Sequence, residues 1–112
     1  MAVMRSIDGT DAGNPVLEVI GRLLVANVPA LWQRIDVLVD ILPDRVVYVL
    51  EYQPDDDHAA PQFFTPRKPE DARALSDCFL RLAQIVTSPR GPLRKCHMHL
   101  RSDGHIHADY EY

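Results

Sequence analysis

The residues best equipped for chemistry are histidines. Four of the five, His97, His99, His105 and His107, recur at alternate positions on either side of Ser102-Asp103-Gly104. In an extended segment, positions i and i+2 share a face. Four imidazoles gathered in this way could bind zinc, nickel or copper, or gain charge as the pH falls toward 6. The plainer expectation is a solvated strand with polar residues on its wet face. Structural metal sites pin loops and catalytic ones lie in concave pockets, and a flat sheet face offers neither. No metal ligand and no cofactor is therefore assigned from the sequence.

Carboxylates are the second resource. Asp55-Asp56-Asp57 forms an acidic run, but it lacks the alternating oxygens, the central Gly and the closing Glu of an EF-hand loop. It reads as a solvated loop tip suited to a basic partner surface. Asp36 and Asp40 fall on the polar side of an alternating segment and belong to the same candidate surface, as do His99 and His107. Catalytic signatures are missing. Gly9-Thr10-Asp11-Ala12-Gly13 has no strand before it and no Lys after it, so it is not a phosphate loop. The chain holds no nucleophile elbow, zinc-protease or kinase pattern, and no enzymatic activity is expected. Cys78 and Cys96 lie in apolar-patterned segments without CxxC or zinc spacing and read as buried thiols.

Periodicity supplies the scaffold. Asn14-Pro15 pairs an N-cap residue with Pro at the first helical position. Val16, Leu17, Ile20, Leu23, Leu24 and Val28 then recur at helical spacing until Pro29. Next, Ile35, Val37, Val39 and Ile41 alternate with Arg34, Asp36 and Asp40, as in a half-solvated strand. Trp32, at the junction, is expected to anchor the core. After a turn at Leu42-Pro43-Asp44-Arg45, the β-branched and aromatic run Val46–Tyr52 predicts a second strand. Gln62–Thr65 predicts a short third one. Pro69, Glu70 and Asp71 open a second helix striped by Leu75, Cys78, Phe79, Leu82, Ile85 and Val86. Ser88-Pro89-Arg90-Gly91-Pro92 ends it.

The last segment predicts a hairpin, and its register can be argued. A three-residue loop, Ser102-Asp103-Gly104, with Gly104 left-handed, places Cys96, Met98, Leu100, Ile106, Ala108 and Tyr110 on one face. It places His97, His99, Arg101, His105, His107, Asp109 and Glu111 on the other. A two-residue turn would mix both faces, and a one-residue slip exposes the whole apolar set. The three-residue loop sets His99 opposite His107, His97 opposite Asp109 and His105 opposite Arg101. The expected architecture is α+β: an antiparallel sheet of four or five strands with two helices on one face, in the order α-β-β-(β)-α-β-β. Residues 1–13 read as a flexible tail and 14–112 as one domain.

Composition narrows the partners. With 12 Lys+Arg against 16 Asp+Glu, the 112 residues carry a formal net charge of -4. A nucleic-acid binder needs a basic footprint, and so does a domain held on anionic lipid; neither is expected. No apolar run is long enough to span a bilayer, and the N-terminus lacks the apolar stretch of a signal peptide. The charge is also uneven. Residues 1–66 hold 10 acidic and 4 basic groups, whereas residues 67–112 hold 6 and 8.

These landmarks resemble the YezG-like immunity (antitoxin) family of bacterial polymorphic toxin systems. The resemblance is carried by the first helix, Trp32 followed by the alternating strand to Val39, and the aromatic-rich strand Val46–Tyr52. It continues through the Leu-spaced helix Leu75–Leu82 and ends on Leu100-Arg101-Ser102-Asp103-Gly104-His105-Ile106 and Asp109-Tyr110-Glu111-Tyr112. It implies a small cytoplasmic α+β protein without enzymatic activity; independently of the resemblance, a monomer or weak homodimer is expected. Its partner would be a cognate toxin, often a nuclease, whose basic cleft suits an acidic inhibitor. Two alternatives stay open on residues alone: a metal-binding protein or enzyme using the four-histidine face, and a dimer paired through an exposed sheet edge or face.

Overall fold

The computed structural model describes residues 15–86 and 89–112 with their side chains, and residues 2–7 as backbone. Along the chain run β1 (Ala2–Ile7), α1 (Pro15–Asn27), β2 (Trp32–Ile41), β3 (Val46–Pro54), β4 (Gln62–Phe64), α2 (Pro69–Ile85), β5 (Lys95–Arg101) and β6 (Ile106–Glu111). The strands form one sheet, antiparallel throughout, in the order β1-β6-β5-β2-β3-β4. The expected α+β class and, from residue 15 onward, the expected order of elements are both present. The tail expected at the N-terminus is corrected in part. Residues 2–7 pair with β6 from Ala2↔Glu111 to Ile7↔Ile106, so the sheet has six strands. The partner lies at the far end of the chain, and no local pattern announces such a pairing. Residues 8–14, with the rest of the expected tail and the Asn14 cap, lie outside the described residues, as does Ser88.

Both helices cover the same face. α2 lies over β2 and β3, and α1 packs beside it. Gly21 lets α1 come close to β6: a Cβ there would stand 3.1 Å from Cδ1 of Ile106. Val16, Leu17, Ile20 and Leu24 of α1 meet Leu75, Phe79 and Leu82 of α2 above a floor of strand residues. That floor is Ile35, Val37 and Val39 of β2, Leu50 and Tyr52 of β3, Cys96, Met98 and Leu100 of β5, and Ala108 and Tyr110 of β6. Tyr48 of β3 meets Phe79 edge to face, with ring centroids 5.3 Å apart, and its hydroxyl donates to the Ala72 carbonyl. Trp32, Leu23, Val28, Ile41 and Cys78 are half-buried around this core. Ile85 departs from the expected stripe and is exposed. The chain leaves helical geometry at Val86 (φ -87°, ψ 102°), and Val86 takes the buried place instead.

One buried polar side chain joins the two helices. Asn27, 2% exposed at the end of α1, donates to the Leu23 carbonyl and to Oδ2 of Asp71. Its Oδ1 accepts the Arg67 backbone N–H at 2.8 Å, just before α2. Both N–H donors and the carbonyl oxygen are thereby engaged, as a buried amide requires.

The C-terminal hairpin takes the expected register. Gly104 N–H donates to the Arg101 carbonyl, and Arg101 N–H to that of His105, both at 2.9 Å. Gly104 has φ +93°, and His99↔His107 and His97↔Asp109 face each other. Two stability predictions follow from these contacts. Gly104→Ala should cost about 1–2 kcal/mol from backbone strain alone, since a Cβ there meets nothing within 4 Å; urea unfolding should register this as a lower midpoint at unchanged slope. Asn27→Ala strands the Arg67 N–H and should cost about 1–3 kcal/mol, visible as a lower melting temperature.

Candidate functional site

The two helices pack on one face of the sheet, and among the described residues nothing covers the other. Period-two alternation decides what that face displays. β2 contributes Arg34, Asp36, Leu38 and Asp40; β3 contributes Val47, Val49 and Glu51. Phe63 comes from β4, His97 and His99 from β5, and His107 and Asp109 from β6. Because β2 and β5 are neighbours, Asp36 stands directly across from His99.

The polar side chains converge at this crossing. Asp36 Oδ1 meets His99 Nδ1, while its other oxygen, Oδ2, accepts from Arg34 Nε at 2.9 Å. His97 and His99 lie side by side with ring centroids 4.2 Å apart, and His107 follows 6.2 Å from His99. One ligand atom each from Asp36, His97 and His99 lies within 4.8 Å of the other two. Beyond them, His107 Nε2 and Asp109 Oδ1 face each other at 3.8 Å. Neither makes a hydrogen bond among the described residues.

Two grooves meet at Arg34 and His99. One, of about 350 Å³, is lined by Leu38, Val49 and Phe63 together with Asp36, Glu51, His97 and His99. The other, of about 440 Å³, is lined by Arg101, Asp103, His105 and His107. The apolar wall is the part that sequence reasoning missed. Phe63 is 73% exposed and Leu38 53%. The signal was available: adjacent strand residues point to opposite faces, so Phe63 and Phe64 could not both be buried. Leu38 is likewise out of phase with Ile35, Val37 and Val39.

The expected acidic residues divide into separate places. Asp36 joins His99. Asp40 lies four residues farther along β2, about 13 Å away at strand rise, in a loose exposed pair with Lys95 (3.9 Å). Asp55, Asp56 and Asp57 form a compact turn where β3 ends. Asp57 accepts from Gln33 Nε2 at 2.8 Å and Asp56 from the His58 N–H at 2.9 Å. Gln53 Nε2, on the open face, donates to the Ala59 carbonyl and ties this turn to the rim. His105 pairs with Asp103 in the hairpin loop (3.0 Å), and the His105 backbone N–H holds the Asp103 carboxyl below its usual range. Cys96 points into the core, where burial and then the Asp109 charge push its thiol up to about 12, so it stays protonated and inert.

Neither a family model nor a curated protein matches the chain. No helix among the described residues is long and apolar enough to cross a membrane.

Burial, followed by the charge of His99, holds His97 below its usual 6.5, against the opposing pull of Asp36 and Asp109; Arg34 adds to the lowering. The folded protein thus binds this proton less readily than the unfolded chain does. Stability is full above 6.5 and declines as pH drops from there through the folded-state value. NMR titration should place the His97 midpoint below 6.5, and His97→Asn should flatten the loss of stability between about pH 7 and 5.

Proposed function

We propose that this chain is an immunity protein that neutralises a bacterial toxin by binding it, without any catalytic step of its own. One observation carries the reading: an uncovered sheet face with an exposed apolar strip, Leu38, Val47, Val49 and Phe63, beside carboxylates that exceed the cations around them. An apolar centre with a charged rim is the anatomy of a protein–protein interface. Its occupant would be a toxin with a basic surface around an apolar anchor point, such as a nuclease with a phosphate-binding cleft. Charge complementarity supports that choice. Asp36, Asp40, Glu51, Asp109 and Glu111 belong to the face by register, against Arg34, Lys95 and Arg101, and Arg34 and Lys95 are already paired with Asp36 and Asp40. The Asp55–Asp57 turn lies at the rim, where it would speed encounter with a basic partner. The resemblance of element order and landmarks to the YezG-like immunity family points the same way, and with it a cytoplasmic setting. His99 and His107 would lie under the docked toxin.

Co-expression with the toxin encoded beside the gene tests this. The intact chain should restore growth and co-purify with the toxin. Phe63→Asp with Leu38→Asp should weaken binding by about 2 kcal/mol or more, as for a central anchor, and leave the melting temperature unchanged. Asp55→Lys with Asp57→Lys should instead slow association and flatten its salt dependence. Growth rescue that is indifferent to the Phe63 and Leu38 changes would refute this placement of the interface.

A further inference from the structure

We propose that Asp36, His97 and His99 form a binding site for a single divalent transition-metal ion of the zinc class. The inference does not depend on the identity of any protein partner.

The donors come from two adjacent strands. His97 and His99 are two residues apart on β5, so their rings project from one face. Asp36 is the residue of β2 directly across from His99. Donors on one tetrahedral ion stand about 3.3–3.6 Å apart when each bond is about 2.0–2.2 Å, and the three ligand atoms here all lie within 4.8 Å of one another, so small side-chain rotations bring them onto a common ion. Two imidazoles and one carboxylate form a donor set of intermediate softness. It suits Zn²⁺, Fe²⁺, Co²⁺ or Ni²⁺ and is poorly matched to Mg²⁺ or Ca²⁺, which require oxygen ligands.

The surroundings supply what a flat strand face would lack. Oδ1 of Asp36 meets His99 Nδ1 in a hydrogen bond whose proton a bound ion would displace, while Arg34 holds Oδ2 at 2.9 Å. This is the kind of outer contact that orients a ligating carboxylate. The groove walled by Leu38, Val49 and Phe63 opens onto the three donors. Those apolar walls limit competing water on one side. Three protein ligands leave coordination positions free for water or for a group presented from the groove. His107, one strand farther out, lies outside the set.

The test uses the tag-free full chain after chelator treatment, titrated calorimetrically with ZnCl₂. One equivalent should bind saturably and raise the melting temperature, and MgCl₂ should not bind. Asp36→Ala, His97→Ala and His99→Ala should each weaken binding by at least about tenfold, a loss that even an outer-contact change can cause. His105→Ala and His107→Ala should leave it unchanged. NMR of the unmutated protein keeps the test independent of variant folding. On Zn²⁺ addition the imidazole nitrogens of His97 and His99 should shift, and those of His58 should stay. The proposal is overturned by absence of saturable one-to-one binding. It is equally overturned by affinity that survives loss of His97 and His99, or by imidazole shifts confined to His58, His105 or His107.

Discussion

Two helices can cover one side of a six-stranded antiparallel sheet and no more, and the rest of the molecule follows from that geometric constraint. Strands β2 to β6 must send alternate side chains into the core and the intervening ones into the open. On the covered side this brings Ile35, Val37 and Val39 under Phe79 and Leu82, in a single buried cluster with Met98, Leu100 and Tyr110. Burial of this kind contributes roughly 1.5–3 kcal/mol for each large side chain, so the register is set by the apolar face. The open face receives whatever the intervening positions hold, arranged to a precision the core has already imposed.

The polar cluster is a product of that register. Asp36 faces His99 because Val37 faces Met98 and Ile35 faces Leu100. A shift of β2 by one residue would expose the core residues and separate the carboxylate from the imidazoles together. Support for the cluster is therefore long-range and apolar, whereas its own ionic contacts are partly solvated and weak contributors to folding. Side chains on this face can vary at small cost to the fold, a favourable condition for a recognition surface.

Electrostatics and apolar exposure work at different ranges here. Asp55–Asp57 at the rim acts over the distance of a screened charge, about 8–10 Å at physiological salt. Phe63 and Leu38 act only on contact. In the proposed complex the first group governs encounter and the second governs residence, the usual division between association and dissociation rates. The histidines lie between the two, where His97 is already held toward its neutral form by burial. A neutral imidazole is also the form that ligates metal.

Much of the fold was legible in the residues. Proline and acidic first turns marked α2, period-two alternation marked β2, and the requirement for one clean apolar face selected the Ser102–Gly104 loop and with it the His99–His107 pairing. These are local signals, repeated every two to four residues, and they need no knowledge of distant chain. Three features were decided only by tertiary structure. β1 depends on pairing with β6 at the opposite end of the sequence. The open strip needed the strand order, since Leu38, Val49 and Phe63 become neighbours only when β2, β3 and β4 lie side by side. The meeting of Asp36 with His97 and His99 spans more than half the chain and rests on β2 and β5 being adjacent. Alternation assigns a residue to a face, but which residues share that face as neighbours is settled by strand order, a relation between distant segments that no local pattern carries.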